Sequence, residues 1–432
     1  MRTRTIKIDM LARVEGEGGL SVSLKGGELE DVRLHIFEPP RFFEGFLRGR
    51  RFDEAPDITA RICGICPIAY QISSATAMED ALGIVVGGQL RELRRLIYCG
   101  EWIESHALHI HLLHAPDFLG YDDAIQMAAE FPDEVKRGLR LKKLGNRIMA
   151  LIGGREIHPV NMKVGGFYSV PAREALLSLR DDLLEALDEA VATAKWVAGL
   201  AFPSFETVSN DVALREEGEG GRYPLFGGRI CCNRGVALAV SEYETVFEEF
   251  HEKHSHALHS RTVDGGVYQV GPIARFNLNR DRLTPVAAAT ANELNIEAVV
   301  ANPFRSIVVR AIETVFAIEE SLRIIDAYDP PPQPSVEYEV QAGEGFGVSE
   351  APRGICWHRY RIGENGEIEF AKIVPPTSQN QARIEQDLRE LIPSLLVLNE
   401  EQMKWRCEQA VRNYDPCISC ATHFLKLEVH RE

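Results

Sequence analysis

Two C-x-x-C pairs stand near opposite ends of this 432-residue chain, one in RICGICPIAY (residues 61–70) and one in DPCISCATHF (residues 415–424). Each pair presents two thiolates on one turn of backbone, and two pairs can close a four-sulfur site around a soft or borderline metal. In a zinc ribbon the second pair follows about 15 to 20 residues after the first, because there the metal holds a small fold together. Here nearly the whole chain lies between them. A metal joining the two stretches sits where both ends of a large fold meet, which is where a catalytic ion rather than a scaffolding one belongs.

Composition narrows the class. With 45% hydrophobic and 26% charged residues, the chain is ordinary globular material, long enough for one large core or two to three smaller ones. The net charge of −16 argues against nucleic acid, since phosphate binding needs a basic surface. Nine cysteines, including the adjacent Cys231 and Cys232, fit reduced cytosolic thiols better than a secreted disulfide framework. The opening MRTRTIKIDMLARVEG lacks the apolar centre of a signal peptide, and no run approaches the roughly 20 apolar residues of a membrane span. A cytoplasmic location is expected.

The pattern along the chain predicts a mainly α fold with small β-sheet portions (α+β), organised as one unit over 1–423. Alternating apolar residues across the Gly26-Gly27 turn predict a small antiparallel sheet within about 1–40. Glu15 lies there between Val14 and Gly16, where backbone can turn tightly around a carboxylate; a solvated surface role is the plain alternative. Glu44 sits among aromatics in PRFFEGF, unusual company unless it is ion-paired or metal-bound, and the residues alone leave both open.

Helices are expected over 72–82 and 90–113, within a helical core of about 68–330. His106, His109, His111 and His114 do not share one helical face, so they read as core histidines satisfied by hydrogen bonds rather than as clustered ligands. One long helix over 172–201, a large surface loop over 202–235, and helices over 241–256, 284–295 and 302–328 follow. A β-hairpin of about 355–375 turns at Glu364-Asn365-Gly366 and should bring Arg353 and Thr377 near each other. Helices over 380–397 and 400–413 lead to the final cysteine motif, within 380–423.

With R-I-C-G-x-C at one end and D-P-C-x-x-C-x-x-H at the other, the sequence resembles the large subunit of nickel-iron hydrogenases, most of all the cytoplasmic, bidirectional, NADP(H)-linked sulfhydrogenase type. ARVEG, PRFFE, ESHALH, GGREIHP, EAPRG and PPTSQN look like further family segments in the expected order. The resemblance implies the large-subunit fold and reversible heterolytic cleavage of H2. It implies Cys63 and Cys417 as terminal thiolates on nickel, and Cys66 and Cys420 as bridges to an iron carrying one carbon monoxide and two cyanides. Glu15 would take the proton from the Cys417 sulfur, Arg353 would lie over the metals, and Thr377 would hydrogen-bond a cyanide. Glu44, the Ile373 carbonyl and His423 would hold a magnesium ion, with Asp117 and Asp415 as carboxylates near Arg353.

Two positions depart from the family pattern: Tyr70 and Glu17 each stand where a histidine is common. The resemblance further implies that a maturation protease removes 424–432. The remaining cysteines do not form a ferredoxin-like run, so an iron-sulfur small subunit is expected to carry electrons onward to flavin (diaphorase) and ferredoxin-like subunits and NADP(H) or NAD(H). A deazaflavin or heterodisulfide-reductase linkage is the alternative acceptor. The quinone-site subunit of respiratory complex I is a non-catalytic relative without the cysteine quartet, and a zinc scaffold is a second competing reading.

Overall fold

A computed structural model describes residues 3–218 and 220–422. Strands β1 (Thr3–Ile8), β2 (Gly18–Lys25) and β3 (Glu28–Ile36) form an antiparallel sheet in that order. Its alternating side chains Ile6, Leu20, Val22, Val32, Leu34 and Ile36 are buried on one face, which is what the period-2 pattern requires.

Helices α1 (Pro67–Leu82), α2 (Gly88–Leu108), α3 (Pro132–Gly153), α4 (Arg180–Ala198) and α5 (Ser306–Ala327) make the central layer, with α2 packed between α3 and α5. Helix α1 starts directly after Cys66. Pro67 presets its first turn, and the free N–H groups of Ile68 and Ala69 donate to the Glu101 carboxylate of α2 at 2.6 and 3.3 Å. Helix α2 runs on into a π-helical turn, His109–His114.

Four segments differ from the sequence reading. Helix α3 was not anticipated, although Leu141, Leu144, Ile148 and Ile152 recur at helical spacing and are buried. The helix expected over 172–201 is two, Arg173–Leu177 and α4, parted where the Ser178 hydroxyl donates to the Ala175 carbonyl at 2.7 Å. Region 202–235 is no surface loop. Strands Val212–Arg215 and Arg229–Cys232 pair there, Tyr223 and Leu225 are fully buried, and the Leu214 N–H donates to the buried Glu350 carboxylate at 2.6 Å.

The helix expected over 241–256 shrinks to one turn, Tyr243–Val246, followed by the hairpin β4 (Phe247–His251) and β5 (Leu258–Thr262). Tertiary packing wins over local periodicity: Tyr243 stacks on Trp357 and Phe247 packs on Tyr268.

The late hairpin carries a third strand. Strands β6 (Gly343–Ala351), β7 (Gly354–Ile362) and β8 (Ile368–Val374) are antiparallel in that order. Gly343, Gly345 and Gly347 leave one face of β6 bare, and α1 lies directly on it: a Cβ at Gly347 would stand 2.0 Å from the Ser73 carbonyl. Only Pro352 and Arg353 separate β6 from β7, so Arg353 sits at a hairpin tip.

Helices α6 (Pro376–Leu395) and α7 (Glu400–Arg412) follow, with α6 packed under the N-terminal sheet. The Ile418 N–H donates to the Glu15 carbonyl at 3.0 Å in a parallel bridge, and there the two ends of the chain meet. Among the described residues no helix is long and apolar enough to cross a membrane.

Candidate metal centre

Cys63 follows a short 3-10 turn (Ala60–Ile62), Cys66 begins α1, and Cys417 and Cys420 flank the start and end of a final helical turn (Ile418–Ala421). All four sulfurs are buried and lie within 4.8 Å of one another. Sγ separations are 3.3 Å for Cys63 and Cys417, 3.7 Å for Cys66 and Cys420, and 3.0 Å for Cys417 and Cys420, and none forms a disulfide.

Electrostatics favours a metal-binding role. Cys63 is held well below an ordinary thiol by hydrogen bonds from Cys417, Cys420 and Cys66, whereas burial pushes Cys417 well up. Ionising all four thiols together would need compensating positive charge, and the adjacent Arg353 already shares its charge with Asp415 at 3.0 Å. Arg353 Nη1 is also left without a hydrogen-bond partner among the described residues. The sulfur-only donor set therefore fits a soft or borderline metal.

Glu15 Oε2 stands 3.0 Å from Cys417 Sγ and accepts the Ser419 N–H at 3.0 Å. Gly16 makes this approach possible: at φ +87°, its Cβ would lie 2.5 Å from Glu38 and 2.7 Å from Ile418. Glu15 is half-buried, while Glu17 is exposed and its N–H donates to Glu38 at 3.3 Å. Thr377 Oγ1 accepts the Cys417 N–H at 3.1 Å. The Arg353 Nε donates to the Asp415 carbonyl at 2.7 Å, so Arg353 and Thr377 both reach the 415–417 stretch.

Asp117, expected near Arg353, pairs with two other arginines. Its oxygens accept two hydrogen bonds from Arg412 at 2.6 Å and one from Arg13 at 2.5 Å, which leaves Asp415 as the carboxylate of Arg353. Tyr70 is buried beside the sulfurs, and burial, then Cys420, raises its phenol well above the ordinary value. Glu44 Oε1 accepts the Ile373 N–H at 2.8 Å, a contact with the backbone of the residue whose carbonyl is the expected magnesium ligand; His423 and 424–432 lie outside the described residues.

The four histidines are buried, and the rings of His109 and His114 pack with centroids 4.9 Å apart. His106 Nε2 is 3.0 Å from Glu313, His109 Nε2 is 2.8 Å from the Arg412 carbonyl, and His111 Nε2 is 3.3 Å from Thr193. His114 has no such partner among the described residues. Burial lowers all four, His106 to about 4 and His111 to about 3.

Three residues near the centre escaped the sequence reading. Arg41 donates to the Ile62 carbonyl at 2.8 Å and to the Ser419 carbonyl, clasping both cysteine stretches. Glu38 Oε1 accepts the Ser419 hydroxyl at 2.6 Å. Glu101, raised well above an ordinary carboxylic acid first by burial, fixes the α1 start behind Cys66. Arg41 and Glu38 lie in FEPPRFFE, whose prolines and paired aromatics were the available signal.

A family described as nickel-dependent hydrogenase matches residues 41–139 and 237–423. Sulfhydrogenase 1 subunit alpha of Pyrococcus furiosus is 35% identical over 427 residues, spanning 98% of each chain. Sulfhydrogenase 2 subunit alpha of the same organism is 37% identical over 425 residues, 98% of this chain and 100% of that one. Among solved structures, an NAD+-reducing [NiFe]-hydrogenase superposes with a TM-score of 0.87 at 27% identity, covering 97% of this chain and 99% of the other.

Proposed function

Because the chain belongs to the nickel-dependent hydrogenase family, we propose that its four sulfurs hold a Ni-Fe(CO)(CN)2 centre whose proton leaves through Glu15. The chain is the catalytic large subunit of a nickel-iron hydrogenase, an oxidoreductase acting on H2. The bound centre supplies the Lewis acidity that polarises H2 for heterolytic cleavage. Glu15 supports the relay reading by its contact with Cys417 Sγ at 3.0 Å. A half-buried carboxylate touching a fully buried sulfur spans the boundary a proton must cross. The cysteine backbone is held in register by Thr377 and Arg41, and Arg353 fixes a positive charge beside the sulfurs. Glu44, with the Ile373 carbonyl and His423, is the proposed magnesium site, since hard oxygen ligands suit that cation.

Electrons need a further carrier. Cys99, Cys231, Cys232, Cys356 and Cys407 are free thiols scattered through the fold, which supports an iron-sulfur small subunit as the immediate partner. Onward transfer through a flavin subunit to NADP(H) or NAD(H), in the cytoplasm, completes the proposed path, and the likeness to an NAD+-reducing hydrogenase supports a nicotinamide acceptor. Glu15→Gln tests the relay: nickel content should hold, while hydrogen-deuterium exchange and hydrogen-dependent dye reduction fall by about 10²- to 10⁴-fold. Near-normal turnover in that variant, with loss only in Glu17→Gln, would move the relay to Glu17.

A further inference from the structure

Away from the sulfur centre, His254, His259 and Glu385 bring their ligand atoms within 4.8 Å of one another. His254 lies on the loop between β4 and β5, His259 on β5, and Glu385 on α6. Glu385 Oε1 is 2.8 Å from His254 Nε2 and 4.0 Å from His259 Nε2, so both imidazoles face one carboxylate. A tetrahedral ion with ligand bonds of about 2.0 to 2.1 Å holds its donor atoms about 3.3 Å apart, a value these two separations bracket.

An ion pair between His254 and Glu385 accounts for only part of this arrangement. His259 is 1% exposed, yet neither of its ring nitrogens has a hydrogen-bond partner among the described residues. A buried imidazole left so pays the cost of an unmade hydrogen bond. The His254 side chain keeps 12% exposure, which gives an ion a way in.

We propose that His254, His259 and Glu385 form a second metal site, a two-histidine, one-carboxylate cradle for a divalent ion of the zinc class. The ion ties three elements together. The carboxylate of Glu385 also accepts the Leu34 N–H of β3 at 2.8 Å, so an ion there joins the N-terminal sheet, the β4–β5 hairpin and α6. The first turn of α6 carries Thr377, which holds the Cys417 backbone. The site braces the helix beneath the sulfur centre without touching it.

The test uses the full chain with its nickel-iron centre in place, cleared of loosely held metal by a chelator and titrated with zinc chloride. Wild type should retain one further zinc equivalent by elemental analysis. His254→Gln and Glu385→Gln should each weaken that binding by more than the roughly 10- to 100-fold that outer-sphere changes cost, with nickel and iron content unchanged. Cobalt(II) offered to the wild type instead should give tetrahedral d–d absorption, a readout that stands even if a variant fails to fold. No zinc beyond the sulfur centre, equal zinc in wild type and both variants, or the weak spectrum of octahedral cobalt would each overturn the proposal.

Discussion

Two clusters of buried polar groups stand on either side of the Pro352-Arg353 turn, and the protein satisfies them to different degrees. In the first, Arg275 donates to Glu313 through Nε and Nη2 and to Glu350 through Nη1, each at 2.9 Å, and to the Ala351 and Pro352 carbonyls at 2.6 and 3.0 Å. Its guanidinium also lies 4.3 Å from the centre of the Trp102 ring, while Tyr223 and His106 complete Glu313. In the second, Arg353 keeps an unengaged Nη1 among the described residues, and four sulfurs converge within 4.8 Å, with Glu15 against Cys417. A closed set locks geometry; an open set of like groups is built to receive something. The closed set serves the open one, because Arg275 grips the two carbonyls that precede Arg353.

Perturbing each set should separate their roles. Cys66→Ser should abolish nickel and iron incorporation and all H2-dependent dye reduction, since a hydroxyl is a poor bridge between soft metals. Thermal unfolding should change little. Retained nickel with retained activity would show that the open set does not need this sulfur. Glu313→Gln should do the opposite, costing about 3 to 5 kcal/mol in denaturant unfolding, because it removes one of the two carboxylates that a buried guanidinium pairs with. Unaltered stability there would erase the contrast between the clusters.

The smallest effect is one of pH. Burial, then Arg137, holds His111 down from 6.5 to about 3. On acidification the unfolded chain takes up this proton near pH 6.5, whereas the folded chain takes it up only near pH 3. The stability that His111 contributes is thus complete above pH 6.5 and is lost progressively as the pH falls toward 3. His111→Gln should flatten the decline of melting temperature with acid in that range; an unchanged slope would exclude His111 as its source.

What could be read from the sequence was chemistry carried by neighbouring residues. The two C-x-x-C pairs announce themselves because both ligands lie within a few positions, whereas the role of Glu15 was implied only by the family resemblance. The Pro352-Arg353 turn was visible only as an odd stretch, since its meaning depends on β6, whose glycines signal a helix lying across them. Arg41, Glu38 and Glu101 act on backbone far away in sequence, and no local pattern encodes such partners. The β4–β5 hairpin misled for the same reason. Tyr243 and Phe247 keep helical spacing, but the packing of their rings on Trp357 and Tyr268 decides the backbone. The pairing of Asp117 with Arg412 and Arg13 has no local signature, because those arginines approach it only in the fold.

The nature of the open set is decided by infrared spectroscopy combined with metal analysis on the wild type and on Cys420→Ser. The account predicts nickel and iron in equal amounts with carbon monoxide and cyanide stretches in the wild type, and loss of those bands in Cys420→Ser. Zinc alone in the wild type, or bands that survive the substitution, would contradict it.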